Sequence, residues 1–226
     1  MAVPSVLLMK NRLPVTGQRV VRPLDWSFLK STPFWFYEAG TIIQSLAYFL
    51  PQLWLPSFVR AMGMPAFASP LALCLLNVAA CGGYLLQGQL VDQFHVTTTI
   101  GLASLASAMS VFVFWGLATS QPMLYVFAIL WGLSGGGFAA TWAGCANAMR
   151  SSCNSLDTGL LISLFCAGKG LGTLITGPIS EILLQVAPWQ GARYAYGSQF
   201  GAVIVFTGIT AVFGGTACIG RVLKLL

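Results

Sequence analysis

Charge is nearly absent from this chain over runs long enough to cross a lipid bilayer, and that feature limits the fold more than any motif does. A helix crossing the hydrocarbon core needs about 20 mainly apolar residues. Counted between polar breaks, such runs fall at 34–58, 67–88, 97–118, 123–146, 158–186 and 199–220. Only 7% of the 226 residues are charged, against roughly 25% in a soluble domain. A mean hydropathy of +0.80 excludes disorder, collagen-like repeats and a coiled coil. Because the runs are continuous, not alternating segments of about 10 residues, a transmembrane barrel is excluded too. The breaks between runs are short, so neighbouring spans run antiparallel. The expected fold is all-α: a polytopic membrane protein with a six-transmembrane-helix bundle over residues 31–226, preceded by a basic arm over residues 1–30.

The formal net charge of +6 does not gather on one amphipathic element, so no nucleic-acid partner is expected. The basic residues divide by side of the membrane instead. With a cytosolic N-terminus, Lys10, Arg12, Arg19, Arg22, Lys30, Arg150, Arg221 and Lys224 lie inside, while Arg60 and Arg193 lie outside. That bias places both termini in the cytosol under the positive-inside rule. Trp26, Phe34, Trp35 and Phe36 mark the inner end of the first span, and Trp54 and Phe58 its outer end. The N-terminal stretch has no signal-peptide pattern, and the plasma membrane is the default location. Five of the six cysteines, Cys74, Cys81, Cys145, Cys166 and Cys218, sit in apolar runs, and Cys153 in a polar connection. Without CxxC or Cys/His spacing they read as small packing residues, and no metal site, disulfide framework or cofactor is expected.

Lys169 is the most informative position. It lies eleven residues after Thr158, where the fifth run opens, so it is roughly 16 Å deep, near the midplane of a core about 30 Å thick. A lysine there costs about 2.5–3.5 kcal/mol on insertion scales, which favours a water-filled cavity or an anionic partner over a purely structural contact. Gly168 and Gly172 flank it as a small-xxx-small pair, and Gly177–Pro178 predicts a kink. Glu181 lies roughly 18 Å further along the same axis, out of reach as a partner, and reads as a solvated helix end. Glu38, roughly 6–8 Å into the first run, reads as a tolerated interfacial carboxylate, with proton coupling as the alternative. Gln44, Ser45 and Tyr48 in the first span, and Asn77, Tyr84 and Gln87 in the second, follow helical spacing; they line a pathway or hydrogen-bond between helices.

Enzyme readings fail on the histidine count. Gly132-Leu133-Ser134-Gly135 fits the GxSG pattern of rhomboid intramembrane proteases, whose serine needs a histidine on the sixth span as general base. His95 is the chain's one histidine, between the second and third spans. No such dyad can form, so no catalytic residue is assigned and the glycines read as a close-packing surface. The same count removes di-iron and zinc membrane enzymes, and the absence of a phosphate-cradling loop removes an ATP-driven pump.

The stretch Asn77-Val-Ala-Ala-Cys-Gly-Gly83-Tyr-Leu-Leu-Gln-Gly88-Gln-Leu90-Val-Asp92-Gln resembles the N-x5-G-R-x3-G-x-L-x-D-R motif of fungal monocarboxylate-transporter-like members of the major facilitator superfamily. Further pieces match in order: Arg22-Pro23-Leu-Asp-Trp-Ser-Phe-Leu-Lys, Phe49-Leu-Pro51-Gln-Leu-Trp-Leu-Pro56, Trp131-Gly132 with Gly135–Gly137, and Gly168-Lys-Gly170 with Gly172 and Gly177-Pro178. The resemblance covers roughly residues 22–220. It implies that the chain corresponds to the C-terminal six-span half of such a transporter, with substrate bound between two halves near the midplane. The implied substrate pathway includes Lys169, Gln44, Tyr48, Asn77 and Tyr84. The implied gate includes Gly88, permitting close helix contact, and Asp92, facing a helix N-terminus or a basic partner in one transport state. Two residues depart from the motif: Tyr84 stands where the family has an intramembrane Arg, and Gln93 replaces the Arg after the Asp. The first weakens a monocarboxylate as substrate, although Lys169 supplies a cation instead. The expected partners are membrane lipid and a small organic solute, with proton coupling open. A lone half would turn its cavity face to lipid at a cost. Either a second six-span half covers it, from a homodimer or another chain, or the chain is a truncated, non-transporting fragment or interaction subunit.

Overall fold

The computed structural model describes residues 27–150, 157–186, 188, 189 and 191–222. The basic residues Lys10, Arg12, Arg19, Arg22 and Lys224, the aromatic Trp26, Cys153 and the beginning of the Arg22 motif lie outside the described residues, as does the basic arm up to residue 26. Residues Ser27–Lys30 form a 3-10 turn. Phe28 in that turn is buried edge-on against Phe34, so packing begins before the boundary at residue 31.

Among the described residues six membrane-length apolar helices follow: α1 (Thr32–Ala61), α2 (Ala68–Gln93), α3 (Val96–Trp115), α4 (Gln121–Arg150), α5 (Thr158–Val186) and α6 (Gly201–Cys218). The expected six-span all-α bundle is the fold, and each run of the sequence becomes one span. The helices are not uniform. α3 loosens into a π-helical stretch at Ser110–Trp115. α4 tightens to a 3-10 stretch at Gly136–Ala140, and α6 is interrupted at Gly214–Gly215 before resuming at Thr216. Pro178 lies inside α5 instead of ending it. Gly63, with φ +67°, turns the chain between α1 and α2, a conformation that costs glycine least.

Two close pairings organise the bundle: α2 against α4, and α1 against α5. In the first, a Cβ on Gly83 would stand 2.6 Å from the Leu133 carbonyl oxygen, and Gly132 lies as tightly against Leu76, Ala79 and Ala80. In the second, a Cβ on Gly172 would stand 2.6 Å from the Ile42 carbonyl oxygen. Small residues bring the helix backbones this close, which supplies packing where lipid offers no hydrophobic drive. Thr176 also donates a 3.3 Å hydrogen bond from α5 to the Leu46 carbonyl.

Apolar clusters fill both ends of the bundle. At one end Phe58, Trp115, Phe127 and Phe200 interlock. At the other, Phe28, Phe34 and Phe165 pack with Leu161 and Met149. Between them runs a buried polar belt that includes Glu38, Thr41, Gln44, Ser45, Ser107 and Ser134. Ser107 donates to the Ser134 hydroxyl at 2.9 Å, and Ser134 donates to the Leu130 carbonyl at 2.8 Å. The serine of the GxSG pattern thus holds helices together. Burial is uneven: 22% of the apolar window is buried in α2 and in α5, against 61% in α6. The outward faces of α2 and α5 are the least covered in the bundle.

Candidate functional site

Lys169 sits on α5 with its ammonium between two aromatic faces. Its Nζ lies 4.8 Å from the ring centroid of Tyr48 on α1 and 5.7 Å from that of Trp142 on α4. Each cation–π contact contributes about 0.5–2 kcal/mol depending on desolvation. Together they offset much of the insertion cost of about 2.5–3.5 kcal/mol. Aromatic faces do not neutralise the charge, however. The arrangement leaves a half-buried cation whose N–H donors remain suited to an anion.

Tyr48 extends the site along α1. Gln52, one turn on, lies within hydrogen-bonding reach of its hydroxyl, and Tyr84 of α2 is close enough to interact with it electrostatically. Phe49 stacks edge-on against the Tyr48 ring at 5.0 Å between centroids. Lys169, Tyr48 and Tyr84, three of the residues expected on the pathway, are therefore brought together from three helices. Trp142 and Gln52 join them although the sequence did not single them out. An aromatic residue in an apolar run carries no local sign of the lysine it will face.

The other two pathway residues do different work. Gln44 is buried and donates from Nε2 to the Gly135 carbonyl at 3.2 Å, tying α1 to the bend in α4. Asn77 is exposed on α2, and its Nδ2 donates to the Leu73 carbonyl of its own helix at 2.7 Å. Gln87 is buried and donates to the Leu133 and Ser134 carbonyls at 3.1 and 2.5 Å, so it too ties helices together.

The expected role of Gly88 in close helix contact needs correction. Nothing lies within 4 Å of where its Cβ would stand. The close approach on α2 is made five residues earlier by Gly83, because that residue, not Gly88, faces the crossing with α4. Asp92 is exposed in the last turn of α2.

Glu38 is the position the sequence most misjudged. Its depth counted along α1 suggested a carboxylate in reach of water, yet it is only 8% exposed. Its Oε1 fills the notch left by Gly168, the residue before Lys169. Among the described residues, its Oε2 has no hydrogen-bond partner. The register between two helices put it there, and no pattern along one helix reports that register.

No protein-family model and no solved structure matches the chain. Over 192 residues the chain is 25% identical to the MFS-type transporter pynF of Aspergillus niger, covering 84% of this chain and 44% of that transporter. Over 200 residues it is 26% identical to the MFS-type transporter hasB of Aspergillus fumigatus, covering 86% of this chain and 42% of that transporter. The chain thus spans less than half the length of these relatives. The likeness is to MFS-type transporters, over most of this chain and under half of each of theirs.

Proposed function

We propose that this chain forms the C-terminal six-span half of a major-facilitator secondary transporter that carries a small organic anion, a monocarboxylate being the simplest case, past Lys169. The observation that carries this reading is the Lys169 ammonium, un-neutralised between Tyr48 and Trp142, beside the sparsely covered face of α5. A mid-span cation that π faces stabilise but do not neutralise keeps N–H donors suited to a solute anion. Covering that face takes a second six-span body, another chain or a second copy, and rocking of one body against the other opens the site to each side in turn. The relatives' names as transporters favour this reading over an enzyme. In this reading the bundle sits in the plasma membrane with both termini cytosolic, and Asp92 stands at the cytosolic gate. Tyr84, where the family motif has Arg, leaves Lys169 as the cation for the anion.

Coupling to protons is the second part of this reading, and Glu38 supports it. A buried carboxylate with an unpartnered oxygen, packed against the helix that carries Lys169, is costly as an anion. Its protonation can follow the anion's passage without another acidic group.

The test is uptake of labelled organic anions by cells expressing the protein with and without Lys169→Gln. Membrane expression should be equal, and the variant should lose most of the protein-dependent uptake. Uptake unchanged in Lys169→Gln would overturn the reading.

A further inference from the structure

Beside the Lys169 site, an open groove of about 340 Å³ runs between α1 and α5, lined by Phe49, Gln52, Leu53, Thr173, Thr176 and Gly177. It begins where the cation site ends. Gln52 is the residue in reach of the Tyr48 hydroxyl, and Thr173, one turn beyond Lys169, donates to the Lys169 carbonyl at 2.8 Å. At roughly 30 Å³ for each water, the groove has room for about eleven. A short carboxylate of about six non-hydrogen atoms fills roughly half of it.

The chemistry of the walls narrows what fits. The hydroxyl protons of Thr173 and Thr176 are committed to helix carbonyls, so neither is free to donate. Phe49, Leu53 and Gly177 add apolar surface, with Leu53 51% exposed. The charged donor, Lys169, stands at the Tyr48 end next to Phe49, and Gln52 adds a single neutral donor further along the wall, level with Leu53. Such an arrangement matches a ligand charged at one end and apolar along the rest.

We infer that the solute held at Lys169 is an amphipathic organic anion whose extended apolar body lies in the groove between α1 and α5, not a short carboxylate. This inference rests on the reading of Lys169 as the anion site and goes beyond it by assigning the body a separate wall. The anion docks on the ammonium, and Phe49 and Leu53 take the body out of water. Each buried methylene then strengthens binding about fourfold (about 0.8 kcal/mol).

Equilibrium binding of acetate, benzoate and 2-naphthoate to the purified protein in lipid nanodiscs, corrected with empty nanodiscs, tests this. Affinity should rise from acetate to 2-naphthoate by about tenfold or more. Leu53→Trp fills the groove, and Leu53→Gln keeps its size but makes it polar; each should remove the preference for naphthoate over acetate. Because Leu53 is half exposed, neither variant disturbs the core, and an unchanged unfolding temperature verifies that. Lys169→Gln should weaken all three ligands. If Lys169→Gln weakens all three but neither Leu53 variant alters the preference, the groove assignment is wrong and the anion site stands. Equal affinities for the three ligands, as expected if a lipid chain fills the groove, also overturn it. Three ligands insensitive to Lys169→Gln overturn both readings.

Discussion

At the scale of single residues, the two neighbouring ionisable groups at the α1–α5 contact solve the same problem differently. The Lys169 ammonium lies between aromatic faces, whereas the Glu38 carboxyl fills a notch that only a glycine leaves open. An ionised carboxylate without full hydrogen bonding in a low-dielectric interior costs several kcal/mol even after relaxation. Glu38→Gln replaces it with a neutral group of the same shape and is expected to retain or raise thermal stability. In the proton-coupled reading, uptake by the unaltered protein falls as pH rises, because the carboxyl must be protonated, and the variant flattens that profile. Uptake measured across the acid-to-neutral range checks both curves. A variant with the same pH slope as the parent would remove Glu38 from the coupling.

Between helices, glycines matter by where they face and not by their number. Gly132 and Gly83 lie against the backbone of the opposing helix, which cannot move aside as a flexible side chain can. Gly132→Ala is therefore expected to cost about 1–3 kcal/mol, the usual range for overpacking. Gly88→Ala meets open space and should be neutral or stabilising, by up to about 1 kcal/mol from helix propensity. Thermal unfolding of the two variants in one detergent gives the comparison directly, and a Gly88→Ala variant as damaged as Gly132→Ala would contradict the packing. The sequence showed both glycines inside apolar runs. It could not show which one a neighbouring helix touches, because the rotation of α2 about its axis is set by α4.

At the scale of the whole molecule, the uneven burial separates the faces. α2 and α5 expose Val78, Leu85, Leu171 and Leu174 together with Tyr84 and Asn77. Cys81 and Cys166 are exposed on these helices, whereas Cys145 is buried. If a second six-span body covers these faces, Cys81 and Cys166 should react with a membrane-permeant maleimide in the chain expressed alone and be shielded in the assembly. Cys145 should stay unreactive in both, as the internal standard. Equal labelling in the two preparations would place any partner elsewhere.

Hydropathy by itself determined the all-α class, the count of six spans and their limits to within a few residues, as at 34–58 against Thr32–Ala61. Transfer from water to lipid is a property of each segment taken alone, so it is written locally in the chain. Lys169 stood out in the sequence for the same reason: a charge far from either end of an apolar run is anomalous wherever the run packs. Tertiary structure alone decided what meets what. It set Trp142 beside Lys169 and Glu38 in the notch at Gly168. It also turned Gln44 into a helix tie and moved the close helix contact from Gly88 to Gly83. Each of these depends on the rotation and offset of one helix against another, which the combined packing of all six helices fixes and no single segment encodes.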